Sequence, residues 1–213
     1  MTLFLLIRHG ESLANRKCYF AGQLDVPLEP LGHQQAHCTA QFIARQYAPD
    51  NIYASDLQRA WDTGKAVGDL LGLPVETDPR FREINAGHWQ GLPFEQILNQ
   101  YPQDYAVWLQ DIGHCCCTGG ESIAQLGHRV LQALTELAEE NPGKTLVIAT
   151  HATPIRVLQS LIHPEGLAHM KDIPWVSNAS VTELWYSDGH WRLGAIAQDD
   201  HLQDMKTCFA ANV

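Results

Sequence analysis

Two histidines in this sequence stand directly after short apolar runs. Arg8-His9-Gly10-Glu11 follows Thr2–Ile7, and Thr150-His151 follows Thr145–Ala149. Imidazole can act as a nucleophile, carry a proton or bind an anion, depending on its protonation state. An arginine adjoins the first histidine. A second arginine, Arg59, follows the run Asn51–Ala54 and falls in the first turn of the predicted helix after it. Helix N-termini attract anions through free N–H groups and the helix dipole, and a guanidinium there strengthens such a site. Any one of these residues is better read as an ordinary surface side chain. Two histidines with arginines, each just past an apolar strand, point instead to one anion-binding crevice.

That reading requires strands that deliver the residues to one place. Thr2–Ile7 and Thr145–Ala149 are continuous apolar runs, as expected of strands buried on both faces of a parallel sheet. In open α/β sheets, ligands bind outside the carboxyl ends of the strands. Further strands are predicted at Asn51–Ala54, Val75–Thr77 (an edge), Val181–Tyr186 and Trp191–Ile196, the last two joined by a hairpin at Ser187-Asp188-Gly189. Helices are predicted from Pro30 to about Tyr47 and over Asp56–Leu71, Glu121–Glu140 and Pro154–Ile162. The alternation implies an α/β fold: a three-layer α/β/α sandwich, its central sheet mostly parallel with helices on both faces. Residues 78–120 are the least regular stretch and are rich in aromatics. They are expected to form a lid-like insertion with one or two helices over the sheet edge, within a single domain spanning 1–213.

The 213 residues suffice for one full core. Apolar residues make up 45% and charged residues 18%, which excludes a largely disordered chain. A net charge of −10 argues against nucleic-acid and anionic-membrane partners, and requires that the basic groups be concentrated at the anion site. No apolar run approaches a membrane span. The first run lacks a basic lead and the length of a signal peptide, so the protein is expected to be cytoplasmic. Six cysteines, at 18, 38, 115, 116, 117 and 208, are then expected as free thiols. Cys115-Cys116-Cys117, near His114 and His128, invites a metal reading, but three consecutive thiols do not readily converge on one ion. No metal and no cofactor is expected.

The ordered set of motifs resembles the histidine phosphatase superfamily, which includes the cofactor-dependent phosphoglycerate mutases. Leu6-Ile7-Arg8-His9-Gly10-Glu11-Ser12 with Asn15 is similar to its N-terminal signature, and Gly22–Leu28 with Leu31-Gly32 and Gln35-Ala36 to the segment that follows. Ser55-Asp56-Leu57-Gln58-Arg59-Ala60 with Thr63, Arg82-Glu83-Ile84 with Gly87, Trp89 and Gly91, Gly120-Glu121-Ser122, and Thr150-His151 complete the series. The matches are collinear and span almost the whole chain. One departure is Ala152-Thr153-Pro154, where the family often has glycine soon after the second histidine.

The resemblance implies a phosphomonoester hydrolase acting on a small phosphorylated metabolite through a covalent phosphohistidine. His9 is the implied nucleophile and must be neutral to attack, with its other ring nitrogen held by a hydrogen bond. Arg8, Arg59 and His151 surround the phosphoryl group, with Asn15 as a neutral donor; His151 is more useful protonated. Glu83 is the implied acid and then base, set against Trp89 and Phe81. Gln23 and Ser55 resemble positions near the pocket rim, and Gln23 and Ala152 are implied substrate-binding positions. Glu11 reads as a partner for pocket cations, Arg82 as a possible substrate contact and Arg156 as an orienting group or the partner of an acid. His201-Leu202 resembles the family's C-terminal end. The remaining histidines, His163 and His169 among them, read as surface or core residues.

Two other readings are open. A mutase uses the same chemistry but shields phosphohistidine from water; the run Ile84–Leu92 looks more like the phosphatase branch, resembling α-ribazole and broad-specificity phosphatases. A non-catalytic phospho-ligand module would lack the nucleophile or the acid. The substrate and the oligomeric state, a homodimer included, are left open.

Overall fold

The computed structural model describes residues 1–207; the C-terminal 208–213, with Cys208, lie outside the described residues. A six-stranded sheet runs in the order β3-β2-β4-β1-β5-β6. Its strands are β1 (Thr2–Arg8), β2 (Asn51–Ala54), β3 (Val75–Thr77), β4 (Thr145–Thr150), β5 (Val181–Ser187) and β6 (His190–Leu193). β1 to β4 are mutually parallel; β5 and β6 add an antiparallel edge. Helices cover both faces: α2 (Pro30–Gln46) and α3 (Gln58–Leu71) on one, α6 (Ile123–Glu140) and α7 (Ala152–Ile162) on the other.

The apolar runs became strands because both of their faces are buried. In β1, Leu3, Leu5 and Ile7 face the core shared with Ala40, Ile43 and Val67 of α2 and α3, whereas Phe4 and Leu6 face the core shared with Leu126, Val130 and Ile155 of α6 and α7. Full burial of each such side chain contributes about 1.5–3 kcal/mol. The strand that ends in His9 is therefore firmly held.

β1 leads to α2 on one face and β4 leads to α7 on the other, although the two strands are neighbours. The crevice between their carboxyl ends is a topological switch point.

Boundaries shifted for local reasons. α3 starts at Gln58 rather than Asp56, whose carboxylate instead pairs with Arg82. α6 starts after Ser122, which forms a capping box with Gln125. α7 starts at Ala152, so Pro154 sits in its first turn, where a missing N–H costs no bond. β6 is shorter than Trp191–Ile196, because Gly194 and Ala195 turn to donate to the Glu183 carbonyl and carboxylate. The 78–120 stretch holds two short helices, α4 (Phe94–Gln100) and α5 (Pro102–Gln110). It packs into the larger core through buried Phe81, Trp89, Ile97, Tyr105 and Trp108.

Candidate active site

β1 and β4 are paired through Arg8 and Thr150, so His9 and His151 are the next residues out on adjacent strands. The His9 N–H donates to the Thr150 carbonyl at 3.0 Å. The two rings lie edge to face with centroids 5.2 Å apart. α1 (Leu13–Lys17) follows, and Gly10 meets Gly32 there so closely that a Cβ on Gly10 would stand 2.3 Å from the Gly32 oxygen. The glycine after His9 is thus required by the loop's contact with α2.

His9 Nδ1 lies 2.7 Å from the Gly10 carbonyl. A carbonyl only accepts, so Nδ1 carries the proton and Nε2 keeps its lone pair. Arg59 Nε donates to that Nε2 at 3.3 Å. The rest of the Arg59 fork is held by the carbonyls of Leu24 and Gly22, both at 2.8 Å. Arg8 Nη1 donates to the Val176 carbonyl. Asn15 Oδ1 accepts from Ser12 N, Ser12 Oγ and Asn178 Nδ2, which leaves its NH2 as a donor. His151 Nε2 is 2.9 Å from Ser55 Oγ, and its buried Nδ1 has no partner among the described residues.

These groups are almost fully removed from water: Arg8 is 1% exposed, Arg59 1%, His151 0% and His9 5%. Burial lowers the His9 pKa well below the usual imidazole value, and Arg59 and Arg8 lower it further. His151 is lowered in the same way, first by burial and then by Arg59, His9, Arg129 and Arg8. Burial brings Arg59 down to about 10, against the pull of Glu83 and Asp25, so it stays charged at neutral pH. These shifts disfavour the protonated form of His151. Burial first, and the neighbouring cations second, disfavour the charged form of both imidazoles.

Glu83, 9% exposed, enters from the loop after a 3-10 turn, Pro79–Phe81. Its carboxylate accepts from Ile84 N at 2.8 Å and Thr153 N at 3.4 Å, the latter in the first turn of α7. Arg129 of α6 holds this loop by donating to the carbonyls of Arg80, Arg82 and Glu83, with Glu121 as its counter-ion.

A pocket brings together Arg8, His9, Asn15, Arg59, Glu83 and Ala152, with Ser12 and Thr153 beside them. Its outer walls are Tyr19, Phe20, Phe94, Trp108 and Trp175. Ser12, Tyr19, Phe20, Thr153 and Trp175 were not anticipated. Neither was Asn178, which also donates to the His9 carbonyl at 3.0 Å. Trp175 lies in a stretch with no periodicity or motif to flag it.

Other expected residues lie elsewhere. Gln23 lines a neighbouring groove with Arg82 and Arg129, and its Nε2 donates to the Glu83 carbonyl at 3.1 Å. It braces the loop rather than lining the pocket. Arg82 is paired with Asp56 rather than turned to the pocket. Glu11 makes its bonds through its backbone, to Gln35 and Glu29, and forms no ion pair among the described residues. Arg156 has no acidic partner there; it lies over the Trp175 ring, 4.2 Å from its centroid. His201 stacks on Phe42 of α2 at 4.6 Å.

Cys115 and Cys117 are buried and Cys116 is exposed; five cysteines among the described residues are free. The three do not converge on an ion. The histidine-bearing group that does bring ligand atoms together is His163, Glu165 and His169, within 4.8 Å of one another beyond the end of α7.

Residues 4–199 match the model of the histidine phosphatase superfamily (branch 1). The chain is a member of that family. It is 32% identical to glucosyl-3-phosphoglycerate phosphatase of Mycobacterium tuberculosis, over 90% of this chain and 87% of that one. It is 32% identical to phosphoserine phosphatase 1 of Hydrogenobacter thermophilus, over 74% of each. A probable phosphoglycerate mutase of Yersinia enterocolitica is 31% identical, over 90% of this chain and 88% of that one. The solved mycobacterial glucosyl-3-phosphoglycerate phosphatase with VO3 superposes with a TM-score of 0.84 at 31% identity, covering 92% of this chain and 99% of that one. The family and the two relatives named as phosphatases support a phosphatase of the histidine type.

Proposed function

We propose that the protein hydrolyses a small phosphate monoester through a phosphohistidine on His9. One observation carries this: a buried imidazole with its lone pair on Nε2, 3.3 Å from the Arg59 guanidinium, with Arg8 and His151 beside it. Nε2 attacks phosphorus while the bond to the alcohol oxygen breaks, and Glu83 gives that oxygen its proton. Water then attacks the phosphoryl group, passes a proton to the Glu83 carboxylate, and the P–N bond breaks. Charge on the equatorial oxygens is met by Arg8, Arg59 and the Asn15 amide, donors fixed before the reaction starts. A bound substrate dianion raises the His151 pKa against the burial and the cations that lower it, and so favours His151 gaining its proton as substrate binds.

The carboxylate and the nucleophile are both present, which speaks against a passive phospho-ligand module. A mutase is the second reading, favoured by the likeness to a probable phosphoglycerate mutase. Residues 1–213 act in this reading as one domain, with 78–120 roofing the pocket. Its setting is the cytoplasm and its partner a small metabolite, not nucleic acid or membrane; among the described residues no helix is long and apolar enough to cross a membrane.

The test is rapid-quench labelling with a 32P-labelled monoester, together with phosphate release from 3-phosphoglycerate and 2,3-bisphosphoglycerate. An acid-labile label on His9 with net phosphate release is expected. Isomerisation outrunning release would replace the hydrolase by a mutase.

A further inference from the structure

We infer that the alcohol half of the pocket is shaped for an uncharged leaving group carrying a flat ring. This rests on the phosphatase reading above. The empty space of the pocket, open solvent at its mouth included, is about 490 Å³. Beyond the reaction centre its walls are Tyr19, Phe20, Phe94, Trp108 and Trp175. Among the described residues, the charged side chains lining it are Arg8, Arg59 and Glu83, all at the reaction centre. A carboxylate or ammonium on the leaving alcohol would be desolvated there without a charged partner of its own.

The wall is also held in place. Trp108 stacks on Trp175 at 6.0 Å, and the Arg156 guanidinium lies against Trp175. Phe20 meets Trp108 edge to face at 5.2 Å and Trp89 at 5.8 Å. Such an aromatic surface loses little freedom when a ring packs on it, which favours flat apolar ligands over flexible ones. Trp108 is only 3% exposed, yet its indole N–H has no acceptor among the described residues.

The experiment measures kcat/KM for four esters of primary alcohols: benzyl phosphate, ethyl phosphate, O-phosphoserine and 3-phosphoglycerate. Their leaving oxygens are comparable, so the panel reads the alcohol half of the pocket. Benzyl phosphate is expected to exceed O-phosphoserine and 3-phosphoglycerate by about tenfold or more, with ethyl phosphate between them. Trp108→Ala should cut the benzyl rate about tenfold and the ethyl rate much less; Trp108→Phe, which keeps a ring in place, should keep most of the benzyl preference. If either charged ester equals or exceeds benzyl phosphate in the wild-type protein, the inference is wrong and the phosphatase reading stands. If no ester releases phosphate, the phosphatase reading itself fails and takes this inference with it.

Discussion

The half of the pocket assigned to phosphate is built at the carboxyl ends of β1, β2 and β4, and its His9, Arg8 and Arg59 side chains are bonded to backbone carbonyls. The half assigned to the alcohol is built on two short helices, α4 and α5, and on irregular chain, and several of its rings are held by one another. Arg59 is fixed by two carbonyls and His9 by one, whereas Trp108 and Trp175 are fixed by ring contacts and by Arg156. Backbone-anchored charges at strand ends can be placed to a fraction of an ångström, as phosphoryl transfer demands. Mutually packed rings tolerate substitution with little change of fold, as changing specificity demands. The comparison teaches that chemistry and selectivity are assigned here to scaffolds of different rigidity.

The largest effect should come from His9. Replacing it with alanine removes the nucleophile, and phosphate release should fall by about four orders of magnitude or more, with no 32P label on the protein. Partial retention of labelling would break the assignment of this half. Arg59 comes next. Arg59→Met should lower kcat/KM by about 10²–10³-fold, and Arg59→Lys should recover little of it, because an ammonium cannot reproduce a fork held between two carbonyls and an imidazole. Steady-state kinetics on a single ester reads both.

Arg129 does not line the pocket but holds three carbonyls of the Glu83 loop. Arg129→Met should lower kcat about tenfold with a smaller change in KM, because the acid is displaced while the phosphate cradle is not. A change confined to KM would mean that the loop belongs to substrate binding rather than proton transfer.

The smallest effect is on stability and follows from the two buried imidazoles. Their folded pKa values lie below the unfolded value of about 6.5, so in the window below it the unfolded chain binds more protons. Stability is then unaffected above that window and declines as pH falls through it. The slope is at most about 1.4 kcal/mol per pH unit for each histidine. Urea midpoints of unliganded protein at pH 7.5 and 5.5 measure this, and equal midpoints would contradict the burial argument.

Much of the phosphate half was readable along the chain. β2 and β3 fall where their residues predict, and the two apolar runs end in the two histidines as expected. The partners of Gln23 and Arg82 could not be read from the sequence, because neighbourhood to a motif does not say which way a side chain turns. Gln23 reaches the carbonyl of Glu83 and Arg82 reaches Asp56. His163 and His169 gave no signal, since their stacking at 3.7 Å depends on the turn between them.

What the sequence determined by itself was the set of strand-end groups. A buried parallel strand needs a continuous apolar run, and the residue at which polarity returns marks its end. What only the tertiary structure decided was the registry of β1 beside β4 and the convergence of Tyr19, Phe20, Phe94, Trp108 and Trp175. Those contacts join segments as far apart as residues 19 and 175, and no local pattern encodes them, because they follow from how whole layers pack.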